Sequence, residues 1–271
     1  MKHIMVGALQ LPTLGMNATR LEFYLKNAKA RGARVLLLGE YVLNHFFLEL
    51  MKMPKSMVSE QSSKHLLLLR KLAREYEMVF VAPIIQVKGE SIYKTIVKVS
   101  SSGQVRYYKQ QFLIPYEHWD EKSYFSNETD TVNDPFIFTI DGFKIAVMGG
   151  YELHFDIMWH SVMAKKVDLV LLPTASTFGS HNRWRELIKS RAFLNGCYIL
   201  RANRLGEYSD QKHSLKWKFY GDSMLVNPSG EVEMVLEDRE SMLIEPIYKN
   251  IVREHRKVWQ FDKELAEKGV L

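Results

Sequence analysis

Cysteine is scarce in this sequence: its 271 residues include one, Cys197. A chain with one cysteine cannot form an intrachain disulfide, which is typical of a reducing compartment, so we expect a cytoplasmic protein. No apolar run reaches the length of about 18 residues that a membrane-spanning helix needs, so we expect no membrane span. The opening segment MKHIMVGALQLPTLG has no small-residue cleavage site after its apolar core and is interpreted as a first β-strand, not a signal peptide.

Charge of one sign is not concentrated anywhere in the sequence. Lys and Arg total 37 against 31 Asp and Glu, a formal net charge of +6. The basic residues are scattered among acidic ones, as in REHRKVWQFDKELAEK, so we expect no nucleic-acid partner. His154 and His160 are six residues apart, the wrong spacing for one helical face, and we predict no metal site there.

Linkers, internal repeats and low-complexity stretches are also missing, which predicts one α/β domain. Short apolar runs such as VLLL and VDLVLLP alternate with segments of helical periodicity, a pattern typical of strands covered on both faces. A hairpin is predicted around Asp141 and Gly142, and a helix is predicted to end at Gly196. Alternation alone leaves open a doubly wound sheet, a barrel and a four-layer sandwich.

Ionisable residues follow several of the predicted strands. Glu40 ends VLLLGE, Lys109 ends VRYYK, and Glu121 lies in the loop PYEHWDEKSYF. A fourth strand, in KIAVMGGYELHF, ends at Gly149 and Gly150, where a sharp turn would present a side chain to a cleft. Each residue taken alone is typical of a solvated loop or a helix cap, and their combination and order carry the functional signal.

The segments LLLGEY, YYKQQFL, DEKSYFSNETD and KIAVMGGYELHF stand in the order of a family's Glu, Lys, second Glu and Cys motifs. Three more segments match that family: VDLVLLPTAS, RWRELIKSRAFLNGCYILRANRLG and FYGDSMLVNPSGEV. Together they resemble the nitrilase superfamily, the carbon–nitrogen hydrolases. The resemblance implies an α-β-β-α sandwich over residues 1–256. It also implies pairing of two such domains into a homodimer or a higher homo-oligomer.

The resemblance also implies a role for each residue of the constellation. Glu40 would take the proton of a nucleophile and later activate water, and Lys109 would stabilise the oxyanion with the backbone N–H of residue 151. Glu121 would position the substrate and orient Lys109. The implied ligand is a small linear amide or an N-carbamoyl amine, because EKSYF is similar to a segment of N-carbamoyl amide hydrolases. Tyr151, His154 and Thr174 are the predicted substrate-binding residues, and no cofactor or metal is implied.

The sequence departs from the family pattern at the nucleophile. Gly150 stands where the family has its cysteine, and glycine cannot form an acyl-enzyme. Cys197 belongs to a segment that matches a buried strand, so it is predicted to be a core residue. We therefore predict an inactive or very weak hydrolase homologue.

Several alternatives stay open at this point. One is residual hydrolysis by water that Glu40 activates, and another is a glycine engineered to trap substrate. A third is a non-catalytic protein that binds a small molecule or regulates a partner. A fourth is a structural protein whose cleft is blocked by Trp119, Tyr151 or Phe155. The tail, residues 257–271, is predicted to pack either on a partner subunit or on the chain's own sheet through Trp259 and Phe261.

Overall fold

The computed structural model describes residues 2–15, 19–210 and 215–271. Its strands are β1 (His3–Gln10), β2 (Val35–Leu38), β3 (Val79–Lys88), β4 (Ser91–Val99), β5 (Val105–Lys109), β6 (Pro115–Tyr116), β7 (Trp119–Asp120), β8 (Phe136–Ile140), β9 (Phe143–Val147), β10 (Leu169–Thr174), β11 (Tyr198–Asn203), β12 (Leu205–Asp210), β13 (Leu215–Tyr220), β14 (Met224–Val226), β15 (Val232–Val235) and β16 (Ser241–Tyr248). Its α-helices are α1 (Thr19–Ala30), α2 (Phe47–Leu50), α3 (Lys55–Tyr76), α4 (Glu121–Tyr124), α5 (Asp156–Ala164), α6 (His181–Asn195), α7 (Lys249–Trp259) and α8 (Phe261–Glu267).

Two six-stranded sheets form the centre of the fold. One has the order β16-β1-β2-β3-β4-β5 and the other β15-β14-β11-β10-β9-β8. In each sheet the inner strands are parallel, β1 with β2 and β3, and β10 with β9 and β11. Residues of β2 and β10 are all buried, as expected for strands covered on both faces.

The two sheets pack face to face, and helices cover their outer faces. A core between the sheets contains Val6 and Leu37 of the first sheet with Ile145 and Leu171 of the second. Alternate residues of the first sheet pack on α1 and α3, and those of the second pack on α5 and α6. This arrangement is an α-β-β-α sandwich, so the predicted fold class is confirmed.

Local signals in the sequence set the turns and helix ends. The β8–β9 hairpin turns at Asp141 and Gly142, which have φ of 49° and 77°. Positive φ at both central residues is the geometry that matches the twist of a two-residue hairpin. Helix α6 ends at Gly196 with φ of 55°, as its sequence predicts.

The C-terminal helices pack on the chain's own surface. The Trp259 ring lies 4.9 Å from that of Phe193 on α6 and 5.8 Å from that of Phe261. The aromatic residues of the tail therefore contact a helix of the same chain. Trp259 remains 49% exposed, and a partner subunit stays a prediction. Within the described ranges, no helix has both the length and the apolar content needed to cross a bilayer.

Replacing Gly196 by alanine should destabilise the protein by about 1–2 kcal/mol. The cost arises because a Cβ in the left-handed region is strained and would lie 3.0 Å from both Arg256 Cγ and His255 Nδ1. Gly179→Ala is the matched control, since a Cβ there meets no atom within 4 Å. Urea denaturation of both variants tests the prediction, and equal stabilities would contradict it.

Candidate active site

The carboxyl ends of parallel strands from both sheets meet at one place. Glu40 follows β2, and its backbone N–H donates to the Thr174 carbonyl at the end of β10, at 3.2 Å. Gly150 follows β9, and its N–H donates to Glu40 Oε1 at 3.3 Å. Such edges are the usual place for ligand sites in α/β sheets. The structure thus brings Glu40, Gly150 and Thr174 together, as the sequence predicts.

A buried ammonium lies between two buried carboxylates beneath this edge. Lys94 Nζ on β4 donates to Glu121 Oε1 at 2.8 Å and to Oε2 at 2.9 Å. The same nitrogen lies 3.2 Å from Glu40 Oε2. The Tyr41 hydroxyl also donates to Glu121 Oε1. The predicted acid–ammonium–acid group exists, but its ammonium belongs to Lys94.

Burial and charge act in opposite directions on these groups. Burial raises the pKa of Glu40, the Lys94 charge lowers it, and the Glu121 charge raises it, with a net rise. Burial alone would lower the pKa of Lys94, but Glu121 and Glu40 together raise it above its usual value. Lys94 therefore stays charged, while Glu40 takes up a proton more readily than an exposed glutamate does.

The prediction that Lys109 lies in the site is wrong. Lys109 is exposed at the end of β5, with its Nζ 4.0 Å from the centroid of the Tyr93 ring. Its neighbours in the chain, Tyr108 and Gln110, are buried instead. Successive side chains of a strand point to opposite faces, so a shift of one residue moves the ammonium out of the site.

Lys94 was not predicted to be a site residue, although the sequence contains a signal that it is buried. In SIYKTIVKVS, Lys94 lies two residues from Ile92 and two from Ile96, which places it on the same face as these two apolar residues. All three are buried in the structure. A lysine on the buried face of a strand needs an acidic partner, and that requirement points to the two glutamates.

The turn after β9 is held by Glu152. Gly150–His154 forms a 3₁₀ helix, and Glu152 Oε2 accepts the N–H of Gly149 at 2.6 Å. Glu152 Oε1 accepts the N–H of Gln111 at 2.6 Å and the hydroxyl of Tyr108 at 2.8 Å. One fully buried carboxylate thus fixes the turn and the segment after β5 relative to each other.

The space beside Gly150 is largely occupied by β10. A Cβ built on Gly150 would lie 3.0 Å from Thr174 Cγ2 and 3.2 Å from the Pro173 carbonyl oxygen. Thr174 is held in place because its hydroxyl donates to Asn203 Oδ1 at 2.8 Å and accepts from Arg201 Nε at 3.0 Å. The turn is therefore packed for a residue without a side chain.

A cavity of about 470 Å³ opens above Glu40 and Gly150. Its walls are mostly aromatic, imidazole and hydroxyl residues, with one arginine and two aliphatic residues: Ile114, Tyr116, His118, Trp119, Tyr151, His154, Thr174, Ala175, Ser176, Thr177, Phe178, Ser180, Arg183 and Trp184. The predicted binding residues Tyr151, His154 and Thr174 all lie in this wall. The volume falls in the range of small-molecule sites, so the prediction of a cleft blocked by bulky side chains is wrong. Trp119 and Tyr151 line the cavity, and Phe155 stacks on Phe112 at 4.0 Å.

The cysteine of the chain lies away from this cavity. Cys197 is fully buried just before β11, in the core that packs on α5 and α6. Burial raises the pKa of its thiol to about 12, which suppresses the thiolate form. The prediction that it is a core residue agrees with this position. In the parts of the chain that the structure describes, no three His, Cys, Asp or Glu side chains are grouped to hold a metal ion.

The sandwich and the edge site together define a class of protein. The sequence profile of the carbon-nitrogen hydrolase family matches residues 5–257, and the chain belongs to that family. Among its relatives, the N-carbamoylputrescine amidase of Arabidopsis thaliana is 22% identical over 95% of this chain and 91% of its own. The 2-oxoglutaramate amidase of Bacillus subtilis (strain 168) is 23% identical over 80% of this chain and 78% of its own.

Solved structures share the fold over almost the whole chain. A carbon-nitrogen hydrolase from Helicobacter pylori G27 matches with a TM-score of 0.85 at 20% identity, covering 97% of this chain and 95% of that one. An amidase from Nesterenkonia sp. matches with a TM-score of 0.74 at 21% identity, covering 95% of each chain. At these identities the likeness establishes the fold.

Replacing Lys94 by methionine should destabilise the protein by about 3–5 kcal/mol, because two buried carboxylates lose their shared counter-charge. Lys109→Met is the matched control, since it removes the same charge from an exposed side chain of the neighbouring strand. Its cost should stay below about 1 kcal/mol, the contribution of an exposed cation–π contact. Urea denaturation measures both, and similar losses in the two variants would contradict the assignment of the ammonium to Lys94.

The stability of the protein should depend on pH through Glu152. Burial raises the pKa of this carboxyl to about 7, although the N–H of Gln111 and the hydroxyl of Tyr108 lower it in part. Because the folded-state pKa exceeds the ordinary value of 4.5, the folded chain holds the proton more tightly. Stability from this group is therefore present at acidic pH and is lost between pH 4.5 and about 7.

Glu152→Gln tests this effect. The free energy of unfolding of the wild type, measured relative to this variant, should fall by about 3 kcal/mol from pH 4.5 to pH 8. Lost hydrogen bonds in the variant add an offset that does not change with pH. A difference that stays constant across this range would contradict the raised pKa.

Proposed function

We propose that this chain binds a small linear amide or N-carbamoyl compound in the cavity above Glu40 and does not hydrolyse it through a thioester. One observation carries the proposal. At the cavity floor, Glu40, which pairs with the buried Lys94, lies beside Gly150, which has no side chain. This floor suits recognition of a polar carbonyl group, but it offers no attacking atom.

The assignment of site residues follows from the resemblance and the geometry together. We take Gly150 as the position of the family's cysteine, and Glu40 and Glu121 as the two acids. Lys94 takes the role expected of Lys109, because its ammonium contacts both acids. Tyr151, His154 and Thr174 form walls of the ligand site.

Loss of the nucleophile is the reason to expect binding without turnover. A hydrolase that loses its nucleophile loses about a million-fold in turnover. Cys197 does not replace it, because it is fully buried in the core between the second sheet and helices α5 and α6 and does not line the cavity. The packing of Thr174 against Gly150 agrees with a turn that has adapted to glycine.

A second candidate function is slow direct hydrolysis. The observation that favours it is the carboxylate of Glu40, which lines the cavity and has a raised pKa. In this reaction a water oxygen attacks the amide carbon while Glu40 takes the water proton. The proton is then delivered to nitrogen as the C–N bond breaks and ammonia leaves.

The wild-type protein should gain thermal stability with butyramide or N-carbamoyl-β-alanine and release no ammonia. At a ligand concentration 100 times the dissociation constant, the gain is about 2.7 kcal/mol. Differential scanning fluorimetry and an enzyme-coupled ammonia assay measure the two effects. Ammonia release that Glu40→Gln abolishes would instead establish the second candidate, and a lack of stabilisation by both compounds would contradict the proposal.

Restoring a thiol should restore hydrolysis if the rest of the site is competent. The variant Gly150→Cys with Thr174→Ser removes the methyl that crowds the new Cβ and keeps the hydroxyl that bonds Asn203 and Arg201. We expect ammonia release from butyramide, lowered by about 10²–10⁴-fold when Glu40→Gln is added.

Gly150→Ala with Thr174→Ser is the matched control, with the same packing and no thiol. Release by the alanine variant as fast as by the cysteine variant would rule out a thiol-dependent reaction. A folded cysteine variant that binds butyramide but releases no ammonia would contradict the assignment of Gly150 as the nucleophile position.

The remaining predictions concern the oligomeric state of the protein and its location in the cell. We propose a homodimer or a higher homo-oligomer in the cytoplasm, on the resemblance to the family. Multi-angle light scattering tests the oligomeric state, and a monomer at micromolar concentration would contradict it.

A further inference from the structure

The mouth of the cavity is marked by those of its lining residues that are exposed: Tyr116, His118, His154, Phe178 and Arg183. Phe178 differs from the others in its backbone, which has a φ of 57°, and its side chain is 53% exposed. A bulky residue is an outlier in this left-handed region. Such strain persists only where the surrounding structure enforces it, and it is concentrated at ligand sites and switch regions. The conformation of Phe178 therefore calls for an explanation.

The ring of Phe178 joins two separate loops at the mouth. Phe178 lies in the loop between β10 and α6, and its ring is 5.8 Å from that of His118 in the turn of the β6–β7 hairpin. Its ring is also 5.5 Å from that of Trp217 on β13, which is buried and stacked on Trp119. Both contacts of the Phe178 ring are edge-to-face, a favourable arrangement that offsets the strain in its backbone.

The loop that carries this ring has two fixed ends. Ser176 donates its N–H to Asn203 Oδ1 at 2.8 Å, and Ser180 is buried at the start of α6. Ser180 donates to two carbonyls of residues 177–179, so these bonds are internal to the loop. Within the described parts of the chain, the N–H groups of residues 177–179 donate to no acceptor. No backbone hydrogen bond therefore ties these three residues to another described part of the chain, and a change in their conformation is cheap.

We propose that Phe178 is a gate residue, whose ring must leave the mouth before a ligand enters or leaves the cavity. In the closed state, which the structure shows, the ring lies against His118 and Trp217. In the open state residues 177–179 turn about Gly179, where a Cβ would meet no atom within 4 Å, and the φ of Phe178 relaxes to a negative value. The inference rests on the proposed function, because it takes the cavity as the ligand site.

Ring contacts and backbone strain act in opposite directions on this gate. The contacts stabilise the closed state, and the strain favours the open one. The rate of ligand exchange then follows the fraction of protein that is open, and a minor state of this kind is about 0.1–10% populated. Removing the ring should therefore speed both entry and exit by about tenfold or more. The affinity should change little, because the ring closes the free and the occupied cavity alike.

Ligand exchange tests the gate. NMR line-shape analysis of butyramide and of N-carbamoyl-β-alanine gives the dissociation rate constant, and a titration gives Kd, so that their ratio gives the association rate constant. Phe178→Ala should raise both rate constants by about tenfold or more and change Kd by less than about threefold. Phe178→Tyr keeps the ring contacts and should exchange ligand at the wild-type rate. Phe23→Ala is the matched control, because Phe23 on α1 is 71% exposed and does not line the cavity.

Two results would overturn the inference and leave the proposed function intact. One is an unchanged pair of rate constants in Phe178→Ala. The other is faster dissociation alone with a weaker affinity, which would identify the ring as a ligand contact. A wild-type protein that binds neither compound would remove the proposed function and the inference with it.

Phe178→Gly tests the strained closed state without a ligand. Glycine adopts a φ of 57° without strain, whereas alanine does not. The glycine variant should therefore melt about 2–4 °C above Phe178→Ala in differential scanning fluorimetry. A glycine variant that melts at the same temperature as the alanine variant, or below it, would overturn the strained state on which the gate depends.

Discussion

The contact on which the site depends is the buried ammonium of Lys94 between Glu40 and Glu121. Removing an ion from water costs several kcal/mol, which is recovered only when the partners are close and well oriented. The three residues come from β4, from the start of α4 and from the turn that follows β2. Their pairing therefore ties one sheet to the loop that covers its edge. It also leaves one carboxylate, Glu40, facing the cavity.

The second sheet reaches the same place through the turn at Gly149 and Gly150. The carboxylate of Glu152 accepts the N–H of Gly149 in this turn, and the N–H of Gly150 donates to the carboxylate of Glu40. The glycine pair is closely packed, since Gln110 lies against Gly149 and Thr174 lies against Gly150. The site thus combines a rigid charged floor with a turn that suits small residues, which is the physical basis for proposing recognition without attack.

Much of the architecture could be predicted from the sequence. The apolar runs at β2 and β10, the glycine that ends α6 and the hairpin around Asp141 carry strong local signals, and they are confirmed. Glu40 and Gly150 were predicted to follow buried strands, and in the structure they lie after β2 and β9, where the N–H of Gly150 contacts Glu40. Lys109 was assigned to the site because it matches a family motif. That match gave no information on which face of β5 each residue occupies.

By itself, the sequence determined which segments become buried strands and that the turn after β9 carries no thiol, because these properties reside in single residues and their immediate neighbours. Only the tertiary structure decided which lysine neutralises the two glutamates and which residues line the cavity. Those outcomes depend on strand register and on the approach of segments far apart in the chain. Lys94 and Glu121 are separated by 27 residues, and Gly150 and Glu40 by 110, so no local pattern encodes their distances.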